Sequence, residues 1–285
     1  MRYLGSGLKC SMPIARRAGM KSPRENPAKQ HVVLRPAPFD TETEGEEKVH
    51  VYLTHARDLM DLASPAQQGH GLEALLERED PASALGRAFA LLSPQEQYKA
   101  LRFHRLNDGI LYMASHAALR MLLSLEKGRR LPHEWLFASS NYGRPYLVAD
   151  AFCDFNISHS WPWAAIAFCR HGRCGVDVEL QEHLGDWQAL IPLVCHENEQ
   201  QRMAQAGRPA HQFLRLWTAK EAVSKVLGLG LSLHFPSMET DMSTGSIRID
   251  GRPAPVRFVH LANSVEEGVV SVAWTGTPEK SLVAA

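Results

Sequence analysis

Apolar and polar positions change period several times along the chain. Val49–Leu53 (VHVYL) alternates at period two, the pattern of a strand with one buried face. From about Glu73 to Leu92 apolar residues recur at helical spacing. Ser93 and Glu96 then fit a capping box, opening a helix that runs to Phe103, and a further helical stretch spans Asp108 to Leu125. Strand candidates return at Leu136–Ala138, Phe155–Ser158, Ala164–Phe168 and Gly175–Leu180. A long helix from about Ala210 to Leu227 stops at Gly228, a left-handed C-terminal stop. Strands at Ser246–Ile249, Val256–Leu261 and Gly268–Trp274, bounded by Gly, Pro and Asn, complete the pattern. The mixture predicts an α+β fold that begins near residue 49. One faint echo runs through it: Glu96-Gln97 and Glu199-Gln200 each precede a long helix at similar spacing, the first carrying Ala117–Leu123 and the second Lys220–Leu227.

Residues 1–48 do not share this periodicity. Eight Lys/Arg against the single acid Glu25 fill residues 1–35, and five acids follow between Asp40 and Glu47. Several prolines accompany them, so a flexible N-terminal extension is expected. Over the whole chain 31 Lys+Arg balance 31 Asp+Glu, which argues against a protein that neutralises nucleic-acid phosphate along its length. A local basic pocket for a phosphorylated ligand is still compatible with that balance. The five cysteines (Cys10, Cys153, Cys169, Cys174, Cys195) are odd in number and contain no CxxC pair, pointing to a reducing compartment rather than a disulfide or zinc framework. The apolar run Trp163–Cys169 is too short to cross a bilayer, and the N-terminus lacks a secretory apolar core. A cytoplasmic protein without a membrane or nucleic-acid partner is expected.

Chemistry concentrates in two segments. In the strand Cys174–Leu180, Asp177 and Glu179 point to one side while Val176, Val178 and Leu180 point to the other. Such a D-x-E pair is either a solvated polar face on an edge strand or a site for a divalent cation, whose charge offsets the carboxylate repulsion. On the helix that follows, Trp217, Glu221 and Lys225 form one stripe at i, i+4 and i+8. Glu221 and Lys225 are either a surface ion pair or a third metal oxygen beside a phosphate-binding ammonium. Phe155-Asn-Ile-Ser-His-Ser160 offers hydroxyls and an imidazole suited to phosphate, and no GxSxG elbow marks a nucleophilic serine.

Taken in order, Phe155-Asn-Ile-Ser-His-Ser160, Gly175-Val-Asp-Val-Glu179, Trp217-Thr-Ala-Lys-Glu-Ala-Val-Ser-Lys225 and Gly228-Leu-Gly-Leu231 resemble the signature of 4′-phosphopantetheinyl transferases of the Sfp type. Tyr142-Gly-Arg-Pro145 and Ser93–Arg120 also resemble that family, so the likeness runs from about Val49 to Ala273. It implies two pseudo-symmetric α+β halves, here 49–168 and 169–285, in a monomeric transferase of carrier-protein modification and secondary metabolism. The implied reaction moves the 4′-phosphopantetheine arm of coenzyme A onto a serine of an apo acyl, peptidyl or aryl carrier protein, releasing 3′,5′-ADP. Carried over by position, Asp177, Glu179 and Glu221 would bind Mg²⁺, with Asp177 also facing coenzyme A. Ser158, His159 and Lys225 would contact its phosphates, and Arg144 its nucleotide end. Glu199 is the expected base, with Glu197 second and Glu221 a third choice; Glu221 and Lys225 complete the expected catalytic set. Ile110 and Leu111 stand where relatives commonly carry an arginine, leaving Lys99, Arg102 or Arg105 to compensate. The alternatives are a catalytically silent carrier-binding relative and a coenzyme A pyrophosphate hydrolase.

Overall fold

The structure, a computed structural model, describes residues 35–36, 49–60, 71–127, 130–148, 153–170, 172–262 and 264–275. The extension expected over residues 1–48, with Cys10, lies outside the described residues apart from the two-residue strand β1 (Arg35–Pro36). The chain is α+β and divides into two compact units. One includes Thr54–Trp135; the other takes residues 49–53 and everything from Leu136 onward. The first unit ends at Trp135 and the second resumes at Leu136.

The first unit is helical: α1 (Leu72–Arg78), α2 (Ala84–Leu91), α3 (Pro94–Leu101) and α4 (Leu106–Lys127). The helix expected over Glu73–Leu92 is two helices. Asp80-Pro81 interrupts it, and Ser83 restarts the chain by accepting a hydrogen bond from Gly86 N at 3.1 Å. The capping box of α3 forms as the sequence predicts. Ser93 N donates to Glu96 Oε2 (2.9 Å), and Glu96 N donates to Ser93 Oγ (3.4 Å). Glu96 does more than cap. Its carboxylate also accepts from Arg120 Nε (2.6 Å) on α4 and meets His116 Nδ1 (3.0 Å). Burial opposes its charge, but these partners outweigh burial and hold the carboxyl at about 2. Arg120, itself buried, also donates to the carbonyls of Pro132 and Trp135. Ile110 and Leu111 are buried on α4; Arg102 donates to the Tyr98 hydroxyl, and Lys99 lies over the Tyr112 ring.

The second unit is built on sheets. β2 (Val49–His55, of which 49–53 belong to this unit), β6 (Trp163–Cys169) and β5 (Asp154–Ser160) lie side by side in that order, while β3 (Phe137–Ser139) and β4 (Pro145–Leu147) form a separate hairpin. A five-stranded antiparallel sheet has the order β7-β11-β10-β9-β8, comprising β7 (Cys174–Leu180), β8 (Met238–Asp241), β9 (Ser246–Ile249), β10 (Arg252–Leu261) and β11 (Gly268–Thr275). The predicted alternation in β7 holds: Val176, Val178 and Leu180 enter a core with Val49, Val51, Leu53, Ala165 and Val272. Helices α5 (Trp187–Val194), α6 (Glu197–Ala204) and α7 (Pro209–Leu227) pack into a second core, where Ala219, Ala222, Val223 and Val226 meet Val256, Phe258 and Ala273. Among the described residues no helix is long and apolar enough to cross a membrane.

Two glycines set the approach of α7 to β7. Gly228 ends the helix in the left-handed conformation (φ 73°), which glycine adopts without steric cost. A Cβ on Gly175 would lie 2.2 Å from the Ala222 carbonyl oxygen and 3.0 Å from Val226 N. Only a residue without a side chain lets strand and helix touch this closely. That closeness brings the carboxylates of β7 beside Glu221 and Lys225.

Candidate active site

β7 is the edge of its sheet, so its outward N–H groups have no further strand to pair with. Side chains of β5 supply the missing acceptors at period two. Cys174 N donates to Asp154 Oδ2 (2.8 Å), Val176 N to Asn156 Oδ1 (2.9 Å) and Val178 N to Ser158 Oγ (3.4 Å). The run Asp154-x-Asn156-x-Ser158-x-Ser160 is thus a polar ladder between the two sheets. It reaches the acids as well: Ser158 Oγ donates to Asp177 Oδ1 (2.8 Å) and Ser160 Oγ to Glu179 Oε2 (3.0 Å). Asn156 was not anticipated as a site residue, although its alternation with apolar Phe155 and Ile157 was a signal that it shares a face with Ser158 and Ser160.

Lys225 completes the grip on Asp177, donating from Nζ to Oδ1 (2.7 Å) and to the Val176 carbonyl (2.9 Å). Asp177 is buried, and its second oxygen, Oδ2, has no hydrogen-bond partner. An acceptor in that state costs free energy unless something electropositive meets it. Its neighbours are anionic. Burial, then the charge of Asp177, pushes Glu179 up to about 7, and the same two causes raise Glu221. Three oxygen-bearing side chains with no soft ligand among them suit a hard divalent cation such as Mg²⁺, so the residues fit the implied metal. The one trio among the described residues whose ligand atoms all lie within 4.8 Å is different: Asp154, Cys169 and Cys174. That trio suits a metal poorly. Burial raises the Cys174 thiol well above its ordinary value, and Asp154 is already committed to Arg144 and Cys174 N.

The other expected site residues fall in several places. His159 is solvent-exposed on β5, on the opposite side from Ser158 and Ser160. Arg144 follows the β3–β4 turn, and its guanidinium is committed to protein acceptors: Asp154, the Lys225 carbonyl that ends α7, and the Cys174 carbonyl. Here it ties the ends of β5, β7 and α7 together. Glu197 is exposed in the first turn of α6.

Glu199, the expected base, lies elsewhere in its chemistry. Its carboxylate is buried and accepts four hydrogen bonds: from His196 N (2.9 Å), Lys220 Nζ (2.6 Å), Thr240 N (2.8 Å) and Thr240 Oγ1 (2.7 Å). It caps α6 and neutralises Lys220, whose ammonium also donates to the carbonyls of Val194 and Phe235. This is the arrangement of Glu96 and Arg120 in the other unit: an N3 glutamate, a buried cation from the next long helix, and two carbonyls. The echo Glu96-Gln97 and Glu199-Gln200 is therefore physical: each glutamate caps its helix and pairs with a buried cation.

Residues 173–273, which carry β7 and α7, match the model of the 4′-phosphopantetheinyl transferase superfamily. Three curated relatives agree. The chain is 29% identical to the 4′-phosphopantetheinyl transferase gsp of Aneurinibacillus migulanus over 53% of its own length and 62% of that protein. It is 36% identical to AcpT of Salmonella typhimurium over 30% and 46%, and 25% identical to Sfp of Bacillus subtilis over 58% and 73%. The chain thus spans about three-fifths of the length of the first curated relatives it matches. Asp177, Glu179, Glu221 and Lys225 all lie inside the segment that matches the 4′-phosphopantetheinyl transferase superfamily model.

Proposed function

We propose that the chain transfers the 4′-phosphopantetheine arm of coenzyme A to a serine hydroxyl of an apo carrier protein and releases 3′,5′-ADP. The observation that carries this reading is the buried, unpartnered Oδ2 of Asp177 beside Glu179, Glu221 and Lys225. Asp177, Glu179 and Glu221 would hold Mg²⁺, which would supply charge neutralisation to the pyrophosphate.

The chain's own residues account for the remaining needs of the reaction. The serine oxygen forms a bond to the phosphorus that carries the pantetheine arm, and the bond from that phosphorus to the 3′,5′-ADP oxygen breaks. The serine proton needs an acceptor. Glu221 suits this role better than Glu199, whose oxygens are all occupied by protein donors. Lys225 stabilises charge on the departing phosphate, a positioned cation being the main catalytic aid in phosphoryl transfer. Ser158 serves by holding Asp177, while His159 is solvent-exposed on the other side of β5.

The test is incubation of the protein with coenzyme A, Mg²⁺ and an apo carrier protein. A mass gain of the carrier by one phosphopantetheine group, lost in Asp177→Ala, is expected. Consumption of coenzyme A without a mass gain would replace transfer with pyrophosphate hydrolysis. Neither change would leave a carrier-binding module.

A further inference from the structure

Behind the acids lies a contact that the reaction above does not use. His183 ends the 3₁₀ turn Gln181–His183, directly after β7. Its Nδ1 lies 2.9 Å from Ser160 Oγ, and the same hydroxyl donates to Glu179 Oε2 at 3.0 Å. We propose that His183 is a positioning residue for the Glu179 carboxylate, acting through Ser160.

A serine hydroxyl has one proton. With a cation bound, Glu179 is ionised and only accepts, so that proton belongs to the bond with Glu179. The Ser160 oxygen must then accept from His183, which places a proton on Nδ1 and fixes the imidazole tautomer. With both its donor and acceptor directions engaged, the hydroxyl cannot rotate away from Glu179. One carboxylate oxygen, Oε2, is thereby held, and Oε1 is left to a cation. A purely structural role for His183 is disfavoured by its setting. The turn contains no buried residue, and the His183 side chain is 38% exposed, so the contact adds little to the core. Its other nitrogen faces only Glu182, at 3.6 Å, and that carboxylate is 69% exposed.

The inference rests on Glu179 being a metal ligand, as proposed above, and its test separates the two. Mn²⁺ binding to the full chain would be measured by the electron paramagnetic resonance of free Mn²⁺, without coenzyme A, for the parent, His183→Ala, His183→Asn and Asp177→Ala. Groups that orient a metal ligand are worth about tenfold or more in affinity, so His183→Ala should bind Mn²⁺ about tenfold more weakly with an unchanged thermal midpoint. His183→Asn, whose amide N–H can donate to the same hydroxyl, should recover most of the loss. Adding Ser160→Ala to His183→Ala should cost no more than Ser160→Ala alone, because the two act in series. Parental affinity in His183→Ala would overturn the positioning role while leaving the metal site intact. Equal losses in the Ala and Asn variants would also overturn it. A parent that binds no Mn²⁺, or one whose binding survives Asp177→Ala, would overturn the metal assignment itself and the positioning role with it.

Discussion

Glu199 offers a sharp choice between catalysis and structure. Its ion pair with Lys220 spans 2.6 Å, and neither side chain is exposed to water. At an effective dielectric constant of about 20, charges at that distance attract by roughly 6 kcal/mol. The attraction offsets a desolvation penalty of several kcal/mol per ion, so the pair is close to neutral overall. Removing one partner keeps the other's penalty and loses the attraction. Glu199→Gln should therefore destabilise the protein by about 3–5 kcal/mol, as should Lys220→Met, because each leaves a buried charge alone. The double variant removes both charges and should recover most of either loss, with the new amide still accepting from Thr240 N. Urea unfolding followed by circular dichroism gives the stabilities, and the mass gain of an apo carrier gives the transfer rate. If Glu199 is structural, the folded double variant transfers at close to the parental rate. A double variant with parental stability and transfer slowed by about a hundredfold or more, the range a general base contributes, would refute this account.

Three further outcomes follow from the same contacts. Glu96 sits at about 2 against an ordinary 4.5, so its stabilisation is complete above about 4.5 and is lost as the pH falls through that interval. The loss should be about 3 kcal/mol in acid unfolding curves, and Glu96→Gln should flatten it. Gly175→Ala should cost about 1–3 kcal/mol or more by overpacking, since its Cβ meets the Ala222 carbonyl, and should depress transfer by pushing Glu221 and Lys225 away from Asp177; unchanged melting and activity would contradict the close approach. Ser158→Ala should lower stability by about 1–3 kcal/mol by leaving Val178 N unpaired, and should weaken Mn²⁺ binding by freeing Asp177, measurable by calorimetric melting and by metal titration.

The elements with a long, regular period were legible in the sequence. β7 needed only Val176, Val178 and Leu180 at period two, and α7 needed its apolar stripe and a glycine stop. Short elements were harder. The strand expected at Leu136–Ala138 is β3, but its partner β4 has only three residues and α6 carries mostly polar residues, so neither of these has enough apolar pattern to stand out. The break between α1 and α2 was written in Asp80-Pro81 but was masked by helical spacing on both sides.

The site was legible as residue types and much less so as roles. Periodicity placed Asp177 and Glu179 on one strand face and Glu221 and Lys225 on one helix face, and the ordered motifs that resemble the transferase family joined the two. What Glu199 does depends on Lys220, Val194, Phe235 and Thr240, residues brought to it only by folding. The sequence did hold one clue. The repeated Glu-Gln pair matches Glu199 with Glu96, whose carboxylate is taken up by Ser93, His116 and Arg120. A residue whose twin performs the same bonding in a unit without the D-x-E strand is explained by the helix cap and buried cation common to both. By the same reasoning, Asp177 and Glu179 have no such cap to explain them. Asp177 is buried and Glu179 half-buried beside one another on an edge strand, with one Asp177 oxygen unpartnered, a cost to folding that a bound cation would offset.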